Sequence, residues 1–202
     1  MPRVLHVQSS PNLTGSVTRT LSAEFVERWV ASHANTEVDL LDLAVDPLPH
    51  WGPVAISGFM AKEEDRTAEQ QAAVDLSEKL IRQIEAANVL VIGCPMYNMS
   101  IPTQLKSWVD YVTRAGRTFK FTGQAQSKGL IWGKKAFVIL SRGGDYSQPP
   151  ANSFDFQEPL LRANLGLIGI GDVQFIRAEG QRLQEAPSYI ETARETIAWL
   201  AE

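Results

Sequence analysis

Three short stretches hold side chains suited to gripping a small molecule that is charged at one end and flat at the other. Ser9 to Thr18 (SSPNLTGSVT) sits ahead of a helical pattern and offers the hydroxyls of Ser10, Ser16 and Thr18. The N–H groups and dipole of a helix start favour an anion at such a place. The stretch has neither G-x-x-x-x-G-K-[ST] nor G-x-G-x-x-G, which disfavours a nucleoside triphosphate or a dinucleotide pyrophosphate and leaves a monophosphate as the better fit. The same residues serve equally well as a helix cap. Met96, Tyr97 and Asn98 bring a thioether, a phenol and an amide, which suit the face and edge of a polar aromatic ring; a plain structural turn is the other reading. Arg142, Gly143 and Gly144 add a cation and N–H groups that glycine lets a ligand approach closely.

These stretches need a frame that brings them together. Val4-Leu5-His6-Val7, Val38 to Leu41, Val89-Leu90-Val91-Ile92, Lys135 to Leu140 and Val173 to Ile176 read as strands, several of them continuously apolar, as in a sheet covered on both faces. Leu21, Phe25 and Trp29 recur every fourth residue and predict a first helix ending near His33. Ala73 to Ala87 predicts a second helix, and Leu105, Trp108, Val109 and Val112 a third, opening at Pro102. Phe154 to Leu165 and Ile190 to Leu200 predict two more, while Thr118 to Phe121 reads as a short extended piece. Leu43 to Asp65 is too long and aromatic for a simple connector and is expected to cover a site. Alternating strands and helices predict an α/β fold with a doubly wound parallel five-stranded sheet in the flavodoxin-like order 2-1-3-4-5, in one domain over residues 1–202.

In such a sheet, ligands bind past the carboxyl ends of the strands. The three stretches follow strands one, three and four, so a phosphate at one end and a flat heterocycle at the other point to FMN. Other features carry less. Gly166-x-x-Gly169-x-Gly171 precedes its strand and reads as a turn. Cys94 has no histidine or cationic cluster beside it and reads as a packed thiol. His6, His33 and His50 share no metal-ligand spacing, so no metal is expected.

Composition sets outer bounds. The chain has 202 residues, 44% hydrophobic and 21% charged, which is ordinary for a globular domain. A net charge of -4 supplies no basic field for nucleic acid or an anionic membrane. A single cysteine fits a reducing compartment, and the chain opens into a strand pattern rather than a secretory signal, so a cytoplasmic location is expected.

The first stretch, together with PMYNMSIPTQLKSWVDYVTRAGRTFKFT, GKKAFVILSRGG and LGLIGIGDVQFIRAEG, resembles the FMN-dependent NADH-azoreductase family, also described as NADH:quinone oxidoreductases. The similarity runs through nearly the whole chain in one register. It implies a flavodoxin-like homodimer with one FMN per subunit, NADH as electron donor, quinones and azo compounds as acceptors, and active sites at the dimer interface. It implies FMN contacts at Ser10, at Ser16, Val17 and Thr18, at Met96, Tyr97, Asn98 and Met99, and at Ser141, Arg142, Gly143 and Gly144.

Asn98 is expected to bond one edge of the ring, and Gly143 and Gly144 to present N–H groups near another. Phe121 and Asn164, with Asn98, are expected along the substrate space, and Trp51 or Phe59 as further walls. Family members often carry phenylalanine in place of Met99, tyrosine in place of Phe121 and an aromatic residue near the position of Asn164, so the acceptor preference is open. NADH against NADPH is open too. The competing reading is a flavodoxin-type carrier passing single electrons to a protein partner, and a flavin-free interaction module is a further one.

Overall fold

The apolar runs of the sequence form the middle of a parallel sheet, and the helical stripes close over its two faces. In this computed structural model, which describes residues 1–123 and 126–202, the chain runs through β1 (Arg3–Gln8), α1 (Val17–Ser32), β2 (Glu37–Asp42), α2 (Pro53–Met60) and α3 (Ala68–Ala86). It continues through β3 (Val89–Pro95), α4 (Thr103–Val112), β4 (Phe119–Gly123) and β5 (Gln126–Gly129). It ends with β6 (Lys135–Ser141), α5 (Glu158–Ile168), β7 (Asp172–Ala178) and α6 (Ala186–Leu200).

The main sheet has five parallel strands in the order β2-β1-β3-β6-β7. The expected order 2-1-3-4-5 counted only these five. A separate antiparallel hairpin, β4 with β5, stands between the third and fourth of them and shifts the numbering. Every residue of β3 is buried, as a central strand requires. Its Val89 and Val91 face α1 and α6 beside Phe25, Phe137 and Ile197. Leu90 and Ile92 face the opposite layer beside Leu80, Leu105, Trp108 and Leu165. Each such side chain contributes about 1.5–3 kcal/mol on burial.

Two expectations about local structure change. Leu43 to Asp65 contains α2, opened by Pro53 in its first turn, where a missing N–H is harmless. The helix expected over Phe154 to Leu165 instead begins at Glu158, because Asp155 Oδ1 accepts the N–H groups of Gln157 and Glu158 and so caps it there. Residues Ala151–Phe154 form a separate 3₁₀ turn.

The turn expected at Gly166 to Gly171 does two jobs. Gly169 ends α5 at φ 110°, a left-handed conformation, and the hairpin docks there so closely that a Cβ on Gly129 would lie 2.3 Å from the Gly169 backbone. Among the described residues no helix is long and apolar enough to cross a membrane.

Candidate functional site

The β1–α1 loop starts where Ser9 bonds across to the neighbouring strand, its N–H and hydroxyl both donating to Gly93 O (3.2 and 2.6 Å). It ends at Ser16, whose hydroxyl accepts from Arg19 N (3.4 Å) and caps α1. Among the described residues the N–H groups of Val17 and Thr18 bond to nothing else in the protein, so the first turn of α1 offers two free donors. Thr18 itself is buried, with Oγ1 3.3 Å from Ser16 Oγ. Close approach of α1 to β3 depends on Gly93, where a Cβ would lie 3.2 Å from Thr18 O and 2.9 Å from Gln8 Oε1.

Past β3, Tyr97 and Ser100 bond each other through both main-chain pairs (3.0 Å each). Asn98 and Met99 between them have φ of 47° and 68°, the two left-handed positions of a type I′ turn. Asparagine tolerates this region, so the strain of the turn falls on Met99. Phe156 N donates to Met99 O (3.1 Å) and holds the turn from outside. Both side chains are exposed.

Past β6, the loop is zipped to the segment after β7. Arg142 N donates to Ala178 O, and the carbonyls of Arg142, Gly143 and Gly144 accept from Gln181, Arg182 and Gly180 (2.9 to 3.1 Å). With their carbonyls committed, Gly143 and Gly144 keep N–H groups that no described residue accepts.

The Arg142 side chain, only 3% exposed for the whole residue, points into the protein. It donates to Gln157 Oε1 (3.0 Å), Glu179 Oε1 (2.8 Å) and Asp155 Oδ2 (2.8 Å). Burial pushes the Glu179 carboxyl up, against the pull of Arg142. Gln157 then reaches Cys94 O (2.9 Å) and Sγ (3.4 Å) at the end of β3. The Arg142 guanidinium is therefore a cross-link between loops rather than a free charge for a ligand. Burial pushes the Cys94 thiol up to about 12, consistent with a packed, inert side chain.

These loops enclose a hollow of about 380 Å³. Ser10, Ser16 and Val17 line one end, and Pro95, Met96 and Tyr97 the middle. Ser141, Arg142 and Gly143 line the other end. No carboxylate lines it among the described residues, while serine hydroxyls and Arg182 do, so it suits an anion. Thr18, Asn98, Met99 and Gly144 flank the lining residues in sequence without lining it themselves.

Phe121 is 73% exposed on the β4–β5 hairpin, outside the hollow. Asn164, expected along the substrate space, does not line the hollow and turns its amide nitrogen onto its own helix, donating to Leu160 O (2.8 Å). Trp51 and Phe59 pack against each other and Tyr111 (ring centroids 4.7 and 5.4 Å from Trp51) instead of walling the hollow. Among the described residues no group of three or more His, Cys, Asp or Glu side chains could hold a metal ion.

Gln181 and Arg182 also line the hollow and were not foreseen. Arg182 lies across Gly143, where a Cβ would be 3.3 Å from its Cδ. The signal was available: Glu179-Gly180-Gln181-Arg182 is the polar segment past strand five, at the same carboxyl end as the other three.

A sheet of this order with a donor-rich hollow past its strand ends defines a flavodoxin-like α/β protein, and residues 2–200 match the family described as having a flavodoxin-like fold. The chain is 47% identical over 180 residues to an FMN-dependent NADH:quinone oxidoreductase of Azotobacter vinelandii, covering 89% of this chain and 88% of that one. It is 44% identical to one of Chromobacterium violaceum over 98% of this chain and 99% of the other.

Among solved structures, an azoreductase of Bacillus anthracis superposes with a TM-score of 0.92 at 30% identity, covering 100% of this chain and 99% of that one. An FMN-dependent NADH-azoreductase of the same species, in complex with FMN, superposes with a TM-score of 0.91 at 25% identity over 100% and 98%. The chain belongs to the family of FMN-dependent NADH:quinone oxidoreductases and is an oxidoreductase.

Proposed function

We propose that the protein is an FMN-dependent NADH:quinone oxidoreductase that works by a ping-pong sequence of two-electron transfers, cleaves azo compounds reductively in the same site and acts as a homodimer. The observation that carries this reading is the hollow past β1, β3 and β6, lined by serine hydroxyls and free N–H groups and by no carboxylate among the described residues. That donor set fits a flavin monophosphate. When bound, FMN supplies the redox chemistry, taking hydride from NADH and returning it to the acceptor.

The protein's part is to bind and orient. Ser10 and Ser16 offer hydroxyls, and Val17 and Thr18 offer N–H groups, to a phosphate. The Met96 thioether suits the face of an aromatic ring. The free N–H groups of Gly143 and Gly144 favour negative charge at the ring edge they face. Asn98, on its strained turn, holds an exposed amide for the ring's polar edge or for the acceptor. Phe121 lines a substrate space formed with a second copy of the chain, a reading supported by its exposure on the hairpin, outside its own hollow.

Initial rates measured at several fixed quinone concentrations test the ping-pong order. Parallel double-reciprocal lines against NADH are expected; lines that intersect would show both substrates bound together and contradict it.

A further inference from the structure

A phosphate cradle built from a loop works only if the loop's carbonyl oxygens turn away from the anion. Ser10 lines the hollow, and its carbonyl has a partner on the other side. Arg19, the third residue of α1, donates to Ser10 O from Nη2 (2.7 Å) and Nε (3.2 Å). The same guanidinium meets Asp42, at the end of β2, through Nη1–Oδ2 (2.5 Å) and Nη2–Oδ1 (2.8 Å). Asp42 is itself fixed, with Oδ1 accepting the N–H groups of Ala44 (3.1 Å) and Val45 (3.3 Å). The hydrogen bonds from Arg19 hold the Asp42 carboxyl below the usual carboxylate range. Arg19 is not among the residues lining the hollow, and its nitrogens are already bonded to Ser10 and Asp42, so it is not a phosphate ligand.

We propose that Arg19, anchored by Asp42, is a positioning residue for the phosphate end of the site. It draws the Ser10 carbonyl out of the hollow and leaves the α1 N–H groups to meet the anion, joined by the Ser10 hydroxyl when it turns from its long bond to Asn12 O (3.4 Å). A side-chain fork on one carbonyl, backed by a carboxylate on the adjacent strand, sets a loop orientation that lysine's single ammonium cannot reproduce. The proposal rests on the flavin reading above, because it concerns the phosphate of that cofactor.

The test compares two ligands that share a ring and differ in the phosphate. Wild-type protein, Arg19→Met, Arg19→Lys and Asp42→Asn are stripped of flavin and titrated with FMN and with riboflavin, following flavin fluorescence. All three variants are expected to lose about tenfold or more in FMN affinity while riboflavin affinity stays within about twofold, since only the phosphate contacts are misplaced. The nearly isosteric Asp42→Asn keeps the test valid where Arg19→Met lowers stability. Equal losses for both ligands would show a general structural role and overturn the proposal. Unchanged FMN affinity, or full affinity in Arg19→Lys, would overturn it as well. Wild-type protein that binds neither ligand would overturn the flavin reading itself, which is a separate result.

Discussion

Buried polar side chains behind the hollow make the fold sensitive to acid. Burial pushes the His6 imidazole down to about 4, with Nε2 3.0 Å from both Ser22 Oγ and Gln8 Nε2. With the Gln8 amide placed to donate, a protonated His6 would set N–H against N–H. The unfolded chain titrates near pH 6.5, so between 6.5 and about 4 it holds a proton that the folded chain refuses. The His6 contribution to stability therefore falls as pH drops through that window, by about 3 kcal/mol in all, and is constant below it. Urea unfolding at a series of pH values is expected to show this slope in wild-type protein and a shallower one in His6→Gln. An equal slope in the variant would contradict the assignment to His6.

The loops past the strands are held as a set by Arg142, which joins the end of β6 to Asp155 ahead of α5, to Glu179 past β7 and, through Gln157, to Cys94 on β3. Arg142→Met leaves those carboxylates buried without their cation and is expected to cost about 3–5 kcal/mol. Thermal or urea unfolding measures this, and a loss below about 1 kcal/mol would show that the network does not hold the loops together. This cross-link was not legible in the sequence, where Arg142 reads as a free cation beside two glycines. Its partners lie 13 to 37 residues away and come together only when β6, β7 and α5 pack.

The strands β3 and β6 were legible as continuous apolar runs, while β2 (EVDLLD) and β7 (DVQFIRA) mix apolar with charged residues and were legible from the β-α alternation around them. The site was legible to the extent that ligand loops must follow strand ends. Other features need three dimensions to appear. The apolar stretch of α2 (PVAISGFM) shows no one-sided stripe and sits among prolines. The start of α5 is decided by the Asp155 cap rather than by periodicity. The turn of the Asn164 amide onto Leu160 O is likewise visible only in the folded helix.

At the scale of the whole molecule, several large apolar side chains are left in solvent near the strand-end face and on the hairpin. Met99 is 44% exposed, and Phe121 and Trp132 on and beside the hairpin are more so. Exposed apolar groups of this size favour contact with another surface, and a homodimer that shares substrate space would use them. Phe121→Asp is expected to raise the KM for quinone several-fold while FMN affinity stays the same, because Phe121 lies outside the hollow. An unchanged KM would remove Phe121 from the substrate space.

The oxidoreductase assignment itself is tested most directly by anaerobic stopped-flow absorbance on the FMN-loaded protein. Mixing with excess NADH is expected to bleach the flavin fully in a two-electron reduction. Protein reduced with just one equivalent of NADH per flavin is expected to regain its absorbance with one equivalent of benzoquinone. Protein that holds FMN but is not bleached by NADH would contradict the reductase and point to a carrier that takes its electrons from a protein donor.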